Sequence, residues 1–285
     1  MKEIFLLVLL ATTFNACSKE AKTIQVLPND LPSNRAEVLQ EIVGQLSGEY
    51  NLHDGLRLGS RWSKKERKLT RSYLKALISQ LGIPALEHRY TTPNLHSSVD
   101  LLMEPYRGKN IYGILPATQE ADEYLLLGAH YDTGRKGAPG AIDNATGIAL
   151  IYRIVQELTV LKERKKHIVL VFFDQEEEEL IGSKAFVTFL QKKRYNIHSA
   201  HCFDMVGWDE DGDRKMEIYT TNHWLMEVYQ TVANESEVPL HTIAIDPVEH
   251  TSNATDFDAF VRGGYPVIGG GECYYLRDST PFKDS

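Results

Sequence analysis

The sequence has no excess of basic residues and few long apolar runs, the features typical of nucleic-acid-binding and membrane-spanning proteins. Basic residues are outnumbered, since 31 Lys and Arg against 39 Asp and Glu give a formal charge of −8. An acidic chain without a basic patch is a poor candidate for nucleic-acid binding. Beyond the N-terminus, no apolar run approaches the roughly 20 residues that a membrane-spanning helix needs. The whole chain is 42% apolar and 25% charged, the composition of an ordinary globular protein.

Cysteine is also scarce, with only three in the chain. Cys17 lies in the N-terminal segment described next, which leaves Cys202 and Cys273. An exported protein can form a disulfide, but two cysteines 71 residues apart in the sequence do not establish one. A disulfide and two buried free thiols both stay open.

The N-terminus has the pattern of an export signal. Lys2 precedes an apolar stretch over residues 4–12, and the small residue Ala16 stands before Cys17. The Ala16-Cys17 pair resembles a bacterial lipobox, so we expect residues 1–17 to be a signal peptide and Cys17 to carry a lipid. A plain signal peptide with an incidental cysteine is the alternative. Residues 18–35 read as a linker, and the protein is expected at a bacterial membrane, facing the periplasm or the cell surface.

After residue 35, strand-like and helix-like segments alternate without a linker or a repeat. A capping box, Ser63-x-x-Glu66, begins an amphipathic helix that ends before Gly82. The other predicted helices are 36–46, 148–158, 183–193, 224–233 and 255–261. The predicted strands are 86–91, 99–103, 110–115, 124–130, 167–173, 200–206, 216–221, 242–245 and 266–269. This order predicts a single α/β domain over residues 36–285, with a mostly parallel central sheet and helices on both faces.

Four groups of acidic or imidazole side chains follow the buried strands in order. They are His130-x-Asp132, Asp143 at a helix start, Asp174-x-Glu176-Glu177, and Asp204. Ligands bind beyond the carboxyl ends of strands in open α/β sheets, and imidazole with carboxylates suits a divalent metal such as Zn²⁺. Each group alone has a structural explanation, such as a helix N-cap at Asp143 or a solvated acidic face over residues 174–179. Their joint occurrence predicts a metal site.

The motifs around these residues resemble a known family. The segments Gly-Ala-His130-Tyr-Asp132-Thr, Asp143-Asn-Ala-Thr-Gly147, Phe-Asp-Gln-Glu176-Glu177 and Phe-Asp204-Met together are similar to those of the M28 zinc exopeptidases, of the bacterial aminopeptidase type. Weaker similarities occur at Arg57-Leu-Gly59-Ser60, Asn110-Ile-Tyr-Gly113 and Thr255-Asp256. The resemblance covers roughly residues 40–285 and implies the zinc-exopeptidase fold.

The resemblance implies a role for each site residue. His130 and Asp204 would bind one zinc, Asp143 would bridge two zincs, and Glu177 would bind the second. Glu176 would be the general base, which takes a proton from the metal-bound water and passes it to the leaving amine. Asp132 would accept the N–H of His130 and thereby set its tautomer. One or two zinc ions per chain are expected, two by the family pattern.

The chain departs from the family near its C-terminus. The family's last ligand is a histidine, but no histidine follows His250 here. When residues 278–285 are aligned on their Thr-Pro pair, Asp284 falls in the place of that histidine. Three explanations stay open: Asp284 is the ligand, the second metal position is weak or empty, or the chain is incomplete. The family also usually has histidine at the position of Phe257, which is not a metal ligand.

The resemblance implies an aminopeptidase that hydrolyses N-terminal residues of peptides. The acidic run from Glu176 to Glu179 would favour a positively charged α-amino group. A dipeptidase and a carboxypeptidase-like enzyme stay open within the same family. Two further alternatives are a glutaminyl cyclase, which is an acyltransferase with a single zinc, and a catalytically weak binding lipoprotein at the cell surface.

Overall fold

A computed structural model of the chain describes residues 35–52, 55–93, 104–248, 252–273 and 276. The expected signal peptide and nearly all of the linker, the predicted strand 99–103, and Asp284 lie outside these residues. None of the described helices is long and apolar enough to cross a membrane.

The described part of the chain forms six α-helices and eight strands. The helices are α1 (Arg35–Ser47), α2 (Lys64–Gln80), α3 (Thr146–Thr159), α4 (Ile181–Lys193), α5 (His223–Ser236) and α6 (Asp256–Arg262). The strands are β1 (Leu86–Thr92), β2 (Tyr106–Leu115), β3 (Glu123–His130), β4 (His167–Phe173), β5 (Asn196–Phe203), β6 (Met216–Thr220), β7 (Leu240–Ala244) and β8 (Val267–Gly271). Every element predicted within the described residues is present, with bounds that differ by at most a few residues.

Two strands differ most from their predicted bounds. β2 begins at Tyr106 instead of residue 110, because its polar first half pairs with β1. β5 begins at Asn196 instead of residue 200, because residues 196–199 pair with β3, and it ends at Phe203 instead of residue 206. Ladder hydrogen bonds join backbone groups and do not require apolar side chains. A hydrophobic pattern alone therefore misses these polar halves.

The strands form one sheet in the order β1-β2-β4-β3-β5-β8-β6-β7. Its centre is parallel, since β4, β3, β5 and β8 all run in one direction. On one side β2 pairs antiparallel with β4, and β1 pairs antiparallel with β2. On the other side β6 is antiparallel to β8 and parallel to β7. The predicted mostly parallel sheet is confirmed, and the carboxyl ends of four central strands lie along one edge.

Helices cover both faces of this sheet, and β4 shows the arrangement clearly. Leu170 and Phe172 belong to the hydrophobic cluster that includes α1, α2 and α3. Val169, Val171 and Phe173 belong to the cluster that includes α4 and α6. All five side chains are buried, and burial of each contributes about 1.5–3 kcal/mol. Since both faces of β4 are buried, the strand is apolar at nearly every position, as the sequence predicted.

Helix α2 begins and ends where the sequence predicts. The N–H of Glu66 donates to Ser63 Oγ at 3.2 Å, and the N–H of Ser63 donates to Glu66 Oε2 at 2.8 Å. Gly82 follows the helix with a φ of +74°, a conformation that glycine adopts without steric cost. This register places Arg67 on the buried side of the helix, where it contacts the loop described below.

The two cysteines in the described region are both buried, and neither is in a disulfide. Cys273 Sγ donates to the Lys215 carbonyl at 3.3 Å. Burial raises the pKa of the Cys202 thiol well above its usual value, which makes it unreactive. Of the two alternatives, the structure shows free thiols.

Candidate metal centre

Four potential metal ligands converge at the carboxyl edge of the sheet. His130 is the last residue of β3. Asp204 directly follows β5, which pairs with β3. Glu176 lies in the loop after β4, on the other side of β3. Asp143 lies in an irregular helical turn that leads into α3. The structure thus brings together residues from four separate segments, as the order of the motifs predicts.

The donor atoms are separated by distances that suit a metal ion. His130 Nε2 is 2.9 Å from Asp143 Oδ1, 3.3 Å from Asp204 Oδ1 and 4.0 Å from Glu176 Oε2. Donors that bind a tetrahedral zinc at about 2.0–2.2 Å are themselves about 3.4 Å apart. His130, Asp143 and Glu176 are at most 5% exposed. The residues present therefore fit zinc in both donor type and spacing.

The charges of this group also favour a cation. Burial raises the pKa of Glu176 well above its usual value; His130 opposes this shift, and Asp204 and Asp256 add to it. Burial alone would lower the pKa of His130, but Glu176 and Asp204 raise it well above its usual value. Several carboxylates thus surround one imidazole, which gives the group an excess of negative charge. A divalent cation would balance this excess.

Asp132 connects the end of β3 to the loop that carries the two glutamates. Its Oδ1 accepts the backbone N–H of Glu176 at 3.0 Å, and its Oδ2 accepts that of Glu177 at 3.3 Å. The same Oδ1 lies 3.6 Å from His130 Nδ1, slightly beyond hydrogen-bond distance. Asp132 therefore holds the glutamate loop directly, a contact that sequence reasoning did not predict.

The two adjacent glutamates take different positions. Among the described residues, the donor atoms of His130, Glu176 and Asp204 all lie within 4.8 Å of one another. Glu176, the predicted base, is thus part of the tight donor group. Glu177, the predicted ligand, is half-buried and is positioned through its backbone bond to Asp132. The division of roles between the two glutamates stays a prediction.

The backbone adopts left-handed conformations on both sides of the group. Gln175, directly before Glu176, has a φ of +59°, and Met205, directly after Asp204, has a φ of +50°. A non-glycine residue in this region costs about 1–2 kcal/mol, and such residues cluster at functional sites. Each of these two residues stands next to a carboxylate that faces His130, namely Glu176 after Gln175 and Asp204 before Met205.

Asn144 joins the turn of Asp143 to the end of β5. Its Nδ2 donates to the Phe203 carbonyl at 2.8 Å, and its Oδ1 accepts the N–H of Gly147 at 3.0 Å. The second bond is the capping contact that the sequence allows at this helix start. Asn144 makes it, while Asp143 faces His130.

Asp174 does not belong to the donor group, although it lies in the same acidic run. Its side chain is 1% exposed, lies 2.8 Å from Arg67 Nε, and accepts the backbone N–H of Lys109 at 3.0 Å. Burial raises the pKa of Asp174 to about 6, and Arg67 opposes this shift. The alternative of a solvated acidic face is therefore wrong for Asp174. No local pattern reveals this pair, because its two members are far apart in the sequence.

Asp256 is a buried carboxylate that sequence reasoning left without a role. It is the first residue of α6 and is 4% exposed. Its Oδ1 has no hydrogen-bond partner among the described residues. Burial raises the pKa of Asp256 to about 7, and His130 opposes this shift. The Thr255-Asp256 motif was the available signal, and the structure places it beside the donor group.

A sequence model of a known protein family matches the part of the chain that carries these residues. The model of peptidase family M28 matches residues 110–284, more than half of the chain. The chain belongs to peptidase family M28. The resemblance predicted from the sequence motifs is thereby confirmed, and the matched residues of this M28 chain include His130, Asp143, Glu176 and Asp204.

Individual proteins similar to this M28 chain agree with the family. A probable zinc metalloprotease of Pyrenophora tritici-repentis is 29% identical over 110 residues, which cover 36% of this chain and 25% of that protein. The chain thus spans about a quarter of that relative's length. The structure of a zinc aminopeptidase from Bacillus subtilis superimposes with a TM-score of 0.70 at 14% identity, covering 90% of this chain and 89% of that one. A glutaminyl cyclase of Porphyromonas gingivalis gives a TM-score of 0.62 at 18% identity, covering 88% of both chains. These structures show the shared fold.

Proposed function

We propose that this M28 chain is a zinc-dependent exopeptidase that removes N-terminal residues from peptides. The proposal rests on the group of His130, Asp143, Glu176 and Asp204, whose side chains meet at the carboxyl edge of the sheet. Membership of a peptidase family supports peptides as the class of substrate.

The proposed metal ligands are those that the motifs indicate. His130, Asp143 and Asp204 would hold one zinc. A second ion, where present, would share Asp143 and add Glu177, together with Asp284 outside the described residues. Bound zinc lowers the pKa of water to about 7 and polarises the scissile carbonyl group.

Glu176 is the proposed general base. Burial raises its pKa above the usual range for glutamate, which makes its carboxylate a stronger proton acceptor. It removes one proton from the attacking water and delivers it to the nitrogen of the leaving amine, which regenerates the carboxylate. Asp132 Oδ1 accepts the backbone N–H of Glu176 at 3.0 Å and so positions this base.

We assign recognition of the substrate's α-amino group to the acidic run from Glu176 to Glu179. Glu178 Oε2 accepts a hydrogen bond from Gln175 Nε2 at 3.1 Å, and Glu179 Oε2 accepts one from Asn253 Nδ2 at 2.9 Å. Each of these carboxylates accepts one hydrogen bond from a neutral amide and keeps further acceptor sites, so both can also accept the α-amino group.

Glutaminyl cyclase activity is the second candidate. The donor atoms of His130, Glu176 and Asp204 lie close enough together to hold one metal ion, and a single zinc is what cyclase chemistry requires. The glutaminyl cyclase of Porphyromonas gingivalis also shares the fold. Against it, the residues that follow Glu177, ending in Leu-Ile-Gly-Ser, fit the peptidase pattern better.

Two substrates separate these candidates. Zinc-loaded protein is incubated with an aminoacyl p-nitroanilide and, separately, with a peptide that begins with glutamine. The proposal predicts nitroaniline release that stops on chelation and returns on addition of zinc. Cyclisation of the glutamine peptide without any hydrolysis would instead establish the cyclase.

A further inference from the structure

A buried arginine joins the N-terminal helix to the segment between His130 and Asp143. Arg61 is completely inaccessible to solvent, and the sequence motifs gave it no role. Its side-chain donors bind backbone carbonyls: Nε to Tyr131 at 2.7 Å, Nη1 to Leu46 at 2.7 Å and Pro139 at 2.8 Å, and Nη2 to Gly140 at 2.8 Å and Asp143 at 3.5 Å. Its own backbone N–H donates to Thr133 Oγ1 at 3.2 Å.

These bonds reach both ends of the segment that carries the potential ligands. Tyr131 stands between His130 and Asp132 in the sequence, and its carbonyl takes one of the two shortest bonds, both 2.7 Å long. At the other end, the carbonyl of Asp143 itself is an acceptor. One rigid guanidinium thus links the backbone of Asp143 to that of Tyr131, the residue after His130. The side-chain donors of His130 and Asp143 are 2.9 Å apart. A lysine has three donors on a flexible stem and cannot reproduce this planar arrangement.

The packing around Gly140 shows how closely the segment is fitted to this arginine. Gly140 has a φ of +58°, and a Cβ at this position would lie 2.4 Å from Arg61 Nη2 and 2.5 Å from the Asp143 carbonyl oxygen. No side chain can enter without moving the guanidinium or the backbone of Asp143. Gly140 and Arg61 therefore pack together around the backbone carbonyl of Asp143, a proposed ligand.

We infer that Arg61 is a positioning residue of the metal centre. It touches neither substrate nor metal. It acts through the backbone of Tyr131 and Asp143, and so keeps the side chains of His130 and Asp143 at the spacing that zinc requires. This inference rests on the proposed zinc-dependent function.

The test is the metal affinity of Arg61→Lys, compared with a matched control. Arg164 also binds carbonyl groups, donating to Pro116 at 3.1 Å and to Leu158 and Leu161 at 3.0 and 2.9 Å. It precedes β4 and so lies at the opposite edge of the sheet. Arg164→Lys therefore removes a similar set of bonds far from the donor group.

Zinc affinity is measured by competition with a chelator, and the cobalt-substituted proteins are compared by their visible d–d absorption. We expect Arg61→Lys to bind zinc about 10–100-fold more weakly, the loss typical for groups that support metal ligands, with altered cobalt bands. Arg164→Lys should keep wild-type affinity and bands even if its thermal midpoint falls. Wild-type affinity and bands in Arg61→Lys, or an equal loss in both variants, would overturn the inference.

A second variant covers the case in which Arg61→Lys does not fold. Gly140→Ala keeps Arg61 but places a Cβ 2.4 Å from Arg61 Nη2 and 2.5 Å from the Asp143 carbonyl oxygen, so it disturbs the contact between the guanidinium and Asp143. It should bind zinc more weakly and show altered cobalt bands. Wild-type affinity and bands in this variant would count against the role of Arg61. A wild-type protein that binds neither zinc nor cobalt would instead overturn the proposed function, and with it this inference.

Discussion

Replacing Asp132 by asparagine tests how the candidate site is held together. The wild-type carboxylate accepts the N–H groups of both Glu176 and Glu177 and is 2% exposed. An amide of the same size can accept only one of these bonds, and its NH₂ group would face the other N–H. The lost bond to a charged acceptor corresponds to about 1.5–3 kcal/mol, and the unpaired buried donor to about 1–3 kcal/mol. Because the two overlap, we expect the free energy of unfolding to fall by about 2–4 kcal/mol.

The measurement is urea unfolding of Asp132→Asn without metal, with Asp122→Asn as the control. Asp122 is exposed and lies directly before β3, the strand that Asp132 follows. Its replacement therefore removes the same charge without the loss of a buried contact. If Asp132 only orients His130, as the resemblance implies, the metal-free variant should be as stable as wild type and only zinc affinity should fall. A loss below about 0.5 kcal/mol in the metal-free protein, the range of ordinary surface changes, would refute the role inferred from the two N–H bonds.

Three further predictions follow from the site, the surface and the N-terminus. Glu176→Gln should abolish turnover and retain zinc, whereas Glu177→Gln should lose zinc; the opposite result in metal analysis would mean that the two roles are reversed. For Glu87, burial opposes the shift, but the hydrogen bonds from two lysines lower its pKa to about 2. Its native pKa is thus below the unfolded value, so its stabilisation is present above about pH 4.5 and is lost as the pH falls toward 2. Glu87→Gln should be less stable by about 1–2 kcal/mol at pH 7 after solvent screening, and unfolding curves that stay apart at pH 2 would contradict this. Cys17→Ala in full-length protein expressed in a bacterium should move from the membrane to the soluble fraction, and an unchanged distribution would rule out the lipid anchor.

Much of the fold was predictable because burial leaves a clear pattern in the sequence. The strand at 167–173 was predicted with its observed bounds, since both of its faces are buried and its apolar run has no polar interruption. The polar start of β5 was not predictable in this way, because residues 196–199 join the sheet through backbone pairing. Local patterns report side-chain burial and carry little information about backbone ladders.

The donor group was predictable for a different reason. His130 ends a strand, Glu176 and Asp204 each follow one, and the carboxyl ends of neighbouring parallel strands meet at one edge. The supporting contacts were not predictable, because Arg61 and Asp174 belong to residue types that are usually exposed. Their burial depends on contacts with residues about 70 to 110 positions away in the sequence, which no motif in a single sequence reveals.

Metal analysis of the purified protein tests the central claim most directly. Zinc per chain is measured by elemental mass spectrometry in wild type and in Asp143→Ala, and release of N-terminal residues from a peptide is followed on the same samples. We predict at least one zinc per wild-type chain with peptide hydrolysis, and loss of both in Asp143→Ala. Less than one zinc per wild-type chain, with no activity on any peptide, would contradict the account and favour a binding protein.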